Sequence, residues 1–444
     1  MTNQRGKALA AAAVAALCAL AALPGQGRAQ AANGQAQARD TQARSSSYRY
    51  DPGAQPVTGA ASGQDGPRLD AGRIYRSTIG PGARISFQIA LDGSGDAYVS
   101  AVAVPKPDEK VSSTDGIQLS LRDRDGNTCD SGSALFGSPE YPRPIAAYVS
   151  RGLSRHQTSC QAAGTYSVLI ERVGDQAAAH GAWGLELRQA RERRTAPGGP
   201  STAPTHWSTA SPPAPTGGGR EIHGGAGFTD APSMPQGEWR DRLRPGDTLF
   251  YRVPVGWDQQ LSVTAVLARS GGNRYVREAL DLQLYNPALG PVVYAYIGYD
   301  GSSAASTGFQ PLAPVKYENR YSTSDVSAAM RFEGDYYLAV SLSPGLADAL
   351  GSEAYGVTLR VDVRGKAGPG PAYVGSSPGF GITGTGPAPG AAAGTDASAT
   401  RHDDGSAGMR LLAAAGIGTG TLLVVGLGVW TLVARRRALP VRPG

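Results

Sequence analysis

Residues Arg73 to Val104 (RIYRSTIGPGARISFQIALDGSGDAYVSAVAV) align without a gap on Gly237 to Ala268 (GEWRDRLRPGDTLFYRVPVGWDQQLSVTAVLA). This internal duplication restricts the chain to a fold that occurs twice. Tyr75 sits over Trp239, Pro81-Gly82 over Pro245-Gly246, and Phe87 over Tyr251. Further along, Ile117, Leu119 and Leu121 match Leu280, Leu282 and Leu284; Gly164 and Tyr166 match Gly334 and Tyr336; and Trp183-Gly184 matches Tyr355-Gly356. The order is the same throughout.

The period of the apolar residues selects the fold class. Ile85, Phe87, Ile89 and Leu91 alternate with small or polar neighbours, as do Leu249, Tyr251, Val253 and Val255. A repeat of two marks a half-buried strand. Turn residues separate the runs at Pro81-Gly82, Asp92-Gly93, Asp125-Gly126, Pro245-Gly246 and Asp300-Gly301. An all-β chain follows, with two jelly-roll-like β-sandwiches in tandem, at 68–192 and 223–366, and one C-terminal transmembrane helix.

Composition sets the connectors. Residues 30–67 are poor in large apolar side chains and read as a disordered leader; 193–222 reads as a Pro/Gly-rich linker and 367–410 as a Gly/Ala/Pro-rich stalk suited to O-glycosylation. Such a linker leaves the orientation of the two sandwiches loosely fixed. Leu411 to Ala434 is apolar and, as a helix, spans roughly 36 Å, enough for a bilayer core. Arg435, Arg436 and Arg437 follow at once, so the positive-inside rule puts residues 435–444 in the cytoplasm and the sandwiches outside, in a single-pass type I cell-membrane topology. Gly416 and Gly420 would permit close helix contact within the span. At the other end, Arg5 and Lys7 precede the apolar run Ala8 to Leu23, a signal peptide with cleavage after Ala29 or Ala31, the first preferred.

The net charge of +6 includes three positive residues in the signal region and four in the tail, with no acid in either, which leaves −1 for the part between. That balance gives no reason to expect nucleic-acid binding. Cys18 departs with the signal peptide, so Cys129 and Cys160 are the mature pair, and an oxidising exterior favours their disulfide. Closing a loop of this length stabilises by roughly 3 to 4 kcal/mol on the chain-entropy model.

The Pro-Gly turn before an alternating strand, the L-x-L-x-L strand ending in Asp-x-x-Gly, and the Gly-x-Tyr opening a late strand together resemble the bacterial pre-peptidase C-terminal domain. That resemblance implies a small, generally non-catalytic β-sandwich concerned with binding or maturation. The inserts are longer here, notably Pro287 to Val326, and no enzyme is attached. The arrangement is also similar to ectodomains of actinobacterial membrane-anchored surface proteins that carry such modules beside von Willebrand A domains.

Several motifs suggest chemistry and have simpler readings. Asp92-Gly93-Ser94-Gly95-Asp96 is close to a von Willebrand A metal site, but a strand pattern follows it, so a hairpin turn is the better reading. Cys129-Asp130-Ser131-Gly132-Ser133 is similar to a protease nucleophile segment, yet the first of the five histidines, His156, comes after it. His180, His206, His223 and His402 show no metal pairing either, so no cofactor and no enzymatic activity are expected. Asp123, Asp125 and Asn127 read as a β-turn, with a calcium loop as the alternative. In PVVYAYIGY, Tyr294 and Tyr296 share one face while Val293, Ala295 and Ile297 take the other. With the aliphatic face in the core, the tyrosines point outward, where they stack on sugars, anchor a protein, or simply solvate a sheet. The expected function is a non-enzymatic surface binding or scaffold protein with an envelope protein partner; the alternative is a glycan-binding module that uses these tyrosines.

Overall fold

The computed structural model describes residues 47–375 except 62, 64, 154–158, 176–180 and 214–217. The first module contains β1 (Gln55–Pro56), β2 (Ile74–Ile79), β3 (Arg84–Leu91), β4 (Gly95–Val104), β5 (Gly116–Arg122), β6 (Thr128–Leu135), β7 (Ile145–Arg151), β8 (Gly164–Val173) and β9 (Trp183–Arg193). The second contains β10 (Arg220–Glu221), β11 (Gly237–Leu243), β12 (Thr248–Val255), β13 (Gln260–Leu267), β14 (Val276–Tyr285), β15 (Pro291–Tyr299), β16 (Ala305–Phe309), β17 (Gly334–Leu342) and β18 (Tyr355–Arg364).

Each module is a double-sheet jelly roll. The first pairs a sheet β1-β2-β9-β4-β7 with a sheet β3-β8-β5-β6, and the second pairs β10-β11-β18-β13-β16 with β12-β17-β14-β15. Advancing every strand number by nine converts one module into the other. The register agrees as well: Phe87 lies opposite Val168 and Tyr251 opposite Leu338, while Ile79 faces Trp183 and Leu243 faces Tyr355. A slip of one residue would turn each strand's core side chains outward, so the two cores hold the register in both copies.

Phe87 and Tyr251 are fully buried at matching sites. Tyr166 and Tyr336 also match, each donating its hydroxyl to the carbonyl four residues back, at 2.7 Å to Ala162 and 3.0 Å to Phe332. That back-bond is the tyrosine-corner device, which fixes a strand entrance in β-sandwiches.

The repeat starts earlier than expected, which corrects the leader assignment over its described part, from residue 47 to 67, while residues 30–46 lie outside the described residues. From residue 47 the chain is part of the fold, and β1 pairs in parallel with β2 as β10 does with β11. Ala60 bridges Ser86 as Gly225 bridges Phe250, and Arg68 bridges Gln88 as Ser233 bridges Arg252. Gly59 is required by close approach: a Cβ there would lie 2.8 Å from Ile85 Cβ, and one on Gly224 would lie 2.7 Å from Leu249 Cβ. Leu69 and Met234 then close the two cores. These segments are ordered because a few well-placed apolar side chains suffice to anchor a strap over a sheet edge.

The expectation of loosely oriented sandwiches is also corrected, because the modules pack directly. The outer face of β4, β7 and β9 meets the outer face of β12, β14 and β17, burying Val102 and Ala146 with Phe250, Tyr285, Ala339 and the loop residue Phe228. Tyr48 inserts into the same cluster and donates to Glu186 at 3.2 Å. The linker lies on the second module: Gln260 Nε2 donates to the Ser208 carbonyl at 2.7 Å, and Arg364 to that of Ala210 at 2.9 Å. Aromatic burial of this kind outweighs the freedom of a short Pro-rich connector.

Several of the mating residues have polar counterparts on the far faces. Phe250, Tyr285 and Tyr337 correspond to Ser86, Arg122 and Ser167, while Tyr98 and Ala146 correspond to Ser262 and Ser306. Among the described residues no helix is long and apolar enough to cross a membrane. The predicted span, with Gly416, Gly420, Arg435, Arg436 and Arg437, lies outside them, as do the signal peptide and the stalk beyond residue 375.

Candidate ligand-binding groove

The hairpin β14–β15 carries the outward tyrosines. Its turn is fixed by Asn286, which is fully buried and accepts from the Ala288 and Gly290 amides at 3.0 and 2.9 Å. Val293, Ala295 and Ile297 pack against the core of the second module, so the alternation turns Tyr294 and Tyr296 to the surface, 64% and 44% exposed. Their rings stack with centroids 6.3 Å apart and planes 15° from parallel. Gly298 is the next residue on that face, and the exposed Tyr275 ring lies over it. At 3.3 to 3.4 Å per residue the aromatic row covers about 13 Å.

The register joins this row to a cleft between the modules. Tyr294 lies opposite Gln283 and Tyr296 opposite Asp281. On one sheet face, directly opposed residues have Cβ atoms about 4.5 to 5.5 Å apart. Gln283 and Asp281 in turn line a cleft of about 170 Å³, walled on the other side by Ser133, Leu135 and Arg143 of the first module. Gln283 Nε2 donates to the Leu284 and Val293 carbonyls, both at 3.1 Å, which commits its donors and leaves its amide oxygen to accept.

Arg143 and Asp281 close the inner end at 3.3 Å, their side chains 13% and 5% exposed. Arg143 donates to the Phe136 carbonyl at 2.8 Å and sits over the Phe136 and Tyr141 rings. Burial pushes the Asp281 carboxyl above the usual carboxylate range, and the Arg143 charge pulls in the opposite direction. Glu278, close by, is shifted the same way, again chiefly by burial. A carboxylate, a guanidinium, an amide and hydroxyls can together exchange several hydrogen bonds with a polar ligand, beside an aromatic floor.

The other sequence-predicted residues stand apart from this groove. Cys129 and Cys160 are disulfide-bonded, joining β6 to the segment before β8. Asp123 comes near both sulfurs, but they are bonded to each other and offer no thiolate for a metal. Its carboxylate accepts from the Asp125 and Asn127 amides at 3.0 and 2.9 Å and from Asn127 Nδ2 at 3.0 Å, the geometry of a turn, and hydrogen bonding from Asn127 lowers its pKa. Asp92 similarly takes the Ser94 amide and hydroxyl in the β3–β4 turn. Asp130 accepts from the Ser150 amide at 2.7 Å and hydroxyl at 2.9 Å. His223 is exposed, 3.5 Å from Asp241; His206 is exposed too, and His156, His180 and His402 lie outside the described residues.

Tyr275, Asp281 and Gln283 join the groove without belonging to any of the motifs described above. A signal existed, since Asp281, Gln283 and Tyr285 alternate with Leu280, Leu282 and Leu284 on the face that must point outward. The wall from the first module had none.

No family model matches the chain, and no curated protein matches it. Solved structures align at low similarity. The N-terminal CBM22-1-CBM22-2 tandem domain of Paenibacillus barcinonensis Xyn10C is 8% identical, covering 69% of this chain and 96% of its own, with a TM-score of 0.19. The tail fiber protein gp63.1 of an E. coli phage is 8% identical over 68% of this chain and 42% of its own, at 0.22. TM-scores of this size carry no argument, and the strand order above establishes the fold by itself.

Proposed function

We propose that this chain is a non-enzymatic binding protein, displayed at the cell surface by its C-terminal span, whose ligand-contacting element is the tyrosine row of β15. The observation that carries the reading is the stacked, exposed pair Tyr294 and Tyr296 on an edge strand with a fixed turn. Flat aromatic faces held rigid lose little entropy when a sugar ring stacks on them, and the polar groups beside them suit hydroxyls. An envelope glycan is therefore the ligand favoured here. Kinship of each module to the pre-peptidase C-terminal domain belongs to the same proposal and rests on the shared turn and strand motifs.

A pull-down on purified peptidoglycan tests the reading. Retention of the protein that is lost in Tyr294→Ala/Tyr296→Ala supports it, and equal retention of both proteins defeats it. A protein partner is the second reading, favoured by Leu135, which is 46% exposed and faces the same cleft. In-cell crosslinking from a photoreactive group at position 135 would identify such a partner.

A further inference from the structure

We infer that the ligand site is composite, with a glycan chain lying on the tyrosines of the second module and against β6 of the first, and that it takes a neutral, hydroxyl-rich glycan in preference to an anionic one. This rests on the reading of Tyr294 and Tyr296 as a sugar platform. Three observations carry it further.

The register makes platform and cleft one surface, since Tyr294 and Tyr296 lie opposite Gln283 and Asp281, and both of those line the cleft. On β6 the side chains alternate, with Ala134 packed inward and Ser133 and Leu135 exposed on the cleft side. The packing between the modules holds that wall in place over the floor. A chain stacked on the tyrosines and continuing inward thus meets Ser133 and Leu135 before it reaches Asp281.

Charge selects the ligand class. Arg143 is the cation of the cleft lining, and its guanidinium is already engaged by the Phe136 carbonyl and by Asp281. Glu278 adds a second acid beside Asp281, with the exposed Arg277 4.0 Å from it. A polyuronate or polyphosphate would bring further negative charge to a cleft whose one cation is already matched, whereas sugar hydroxyls can donate to Asp281 and to the Gln283 oxygen.

The test is titration calorimetry on the intact protein with hexamers of glucose, mannose, N-acetylglucosamine and a uronic acid. At least one neutral hexamer is expected to bind more tightly than the uronate. Tyr294→Ala should weaken that binding about tenfold, and Ser133→Arg, which fills the cleft from the first module, should weaken it to a similar degree. Leu135→Ala is a milder probe of the same wall and should cost a few-fold. If Tyr294→Ala weakens binding while both first-module variants leave it unchanged, the composite site is overturned and the platform reading survives. Tighter binding of the uronate overturns the ligand class. No binding of any hexamer, or no effect of Tyr294→Ala, overturns the platform reading and this inference together. Unchanged thermal melting of Ser133→Arg would show that its loss is local.

Discussion

One guanidinium nitrogen of Arg320, in the second module, donates to both carboxylate oxygens of Glu192 in the first, at 2.8 and 2.9 Å. Its other terminal nitrogen reaches Asp96 at 2.8 Å, and Glu192 also accepts from the hydroxyls of Tyr98 and Tyr373. The Glu192 side chain is 1% exposed. Removing one partner from such a cluster strands a buried charge, at a cost of about 3 to 5 kcal/mol. Arg320→Ala is therefore expected to lower unfolding free energy in denaturant titrations by that order. Arg320→Lys should recover only part of the loss, because an ammonium cannot span Asp96 and Glu192 as the fork does. Unchanged stability in Arg320→Ala would argue against the packed junction.

The junction should also yield to the protein's own vocabulary. Phe250→Ser with Tyr337→Ser installs on the second module the residues that the first carries at equivalent sites. Each module should then remain folded while small-angle scattering reports a larger radius of gyration and a spread of separations. The unaltered protein is expected to scatter as a single compact particle over residues 47–375.

Cys129→Ser/Cys160→Ser is expected to cost the first module roughly 3 to 4 kcal/mol, the loop-closure value for a separation of 31 residues. The check is calorimetry alongside thiol counting of the denatured, non-reduced protein, where two free thiols would contradict the bond.

Acid should act on the cleft through Asp281. Its folded pKa is raised above the ordinary 3.8, chiefly by burial, so the folded state holds that proton more tightly than the unfolded one. The resulting stabilisation is complete below about pH 3.8 and is lost as pH rises through the raised value. Asp281→Asn should flatten the fall in stability over that window, and a pH profile unchanged by the substitution would count against the assignment.

Gly224→Ala probes the strap of the second module. Its new Cβ would lie 2.7 Å from Leu249 Cβ and 2.8 Å from Tyr251 Cζ. Overpacking of this kind costs about 1 to 3 kcal/mol. Gly59→Ala, its counterpart, should do the same in the first module, and indifference of either to the substitution would mean that the strap is not held there.

The sandwiches were legible because alternation and turn residues repeat in one order: the gapless match of Arg73–Val104 to Gly237–Ala268 became identical strand register. Tyr294 and Tyr296 were legible for the same reason, period two with Val293, Ala295 and Ile297 turned inward. The straps were not, because composition averages over a window in which one Gly59 and one Leu69 decide the docking. Yet Val57, Gly59, Ala61, Asp65 and Pro67 align with Ile222, Gly224, Ala226, Asp230 and Pro232, a signal that extending the repeat alignment upstream would have found. The junction between modules had no comparable pattern, since Phe228, Phe250 and Tyr48 come from segments far apart in the chain. Only the folded arrangement brings them together.

The two copies meet through unlike faces, β4-β7-β9 of one against β12-β14-β17 of the other. Contact between non-equivalent surfaces of like units is not self-complementary; it leaves one unused surface at each end, where a further unit would add. On the first module the equivalent face carries exposed Arg122 where the second carries buried Tyr285, and its Ser86, in place of Phe250, is buried beside the strap at the Ala60 bridge. The aromatic residues that seat one module on the other are therefore not repeated at the outer end of the first module, where a further unit would need them.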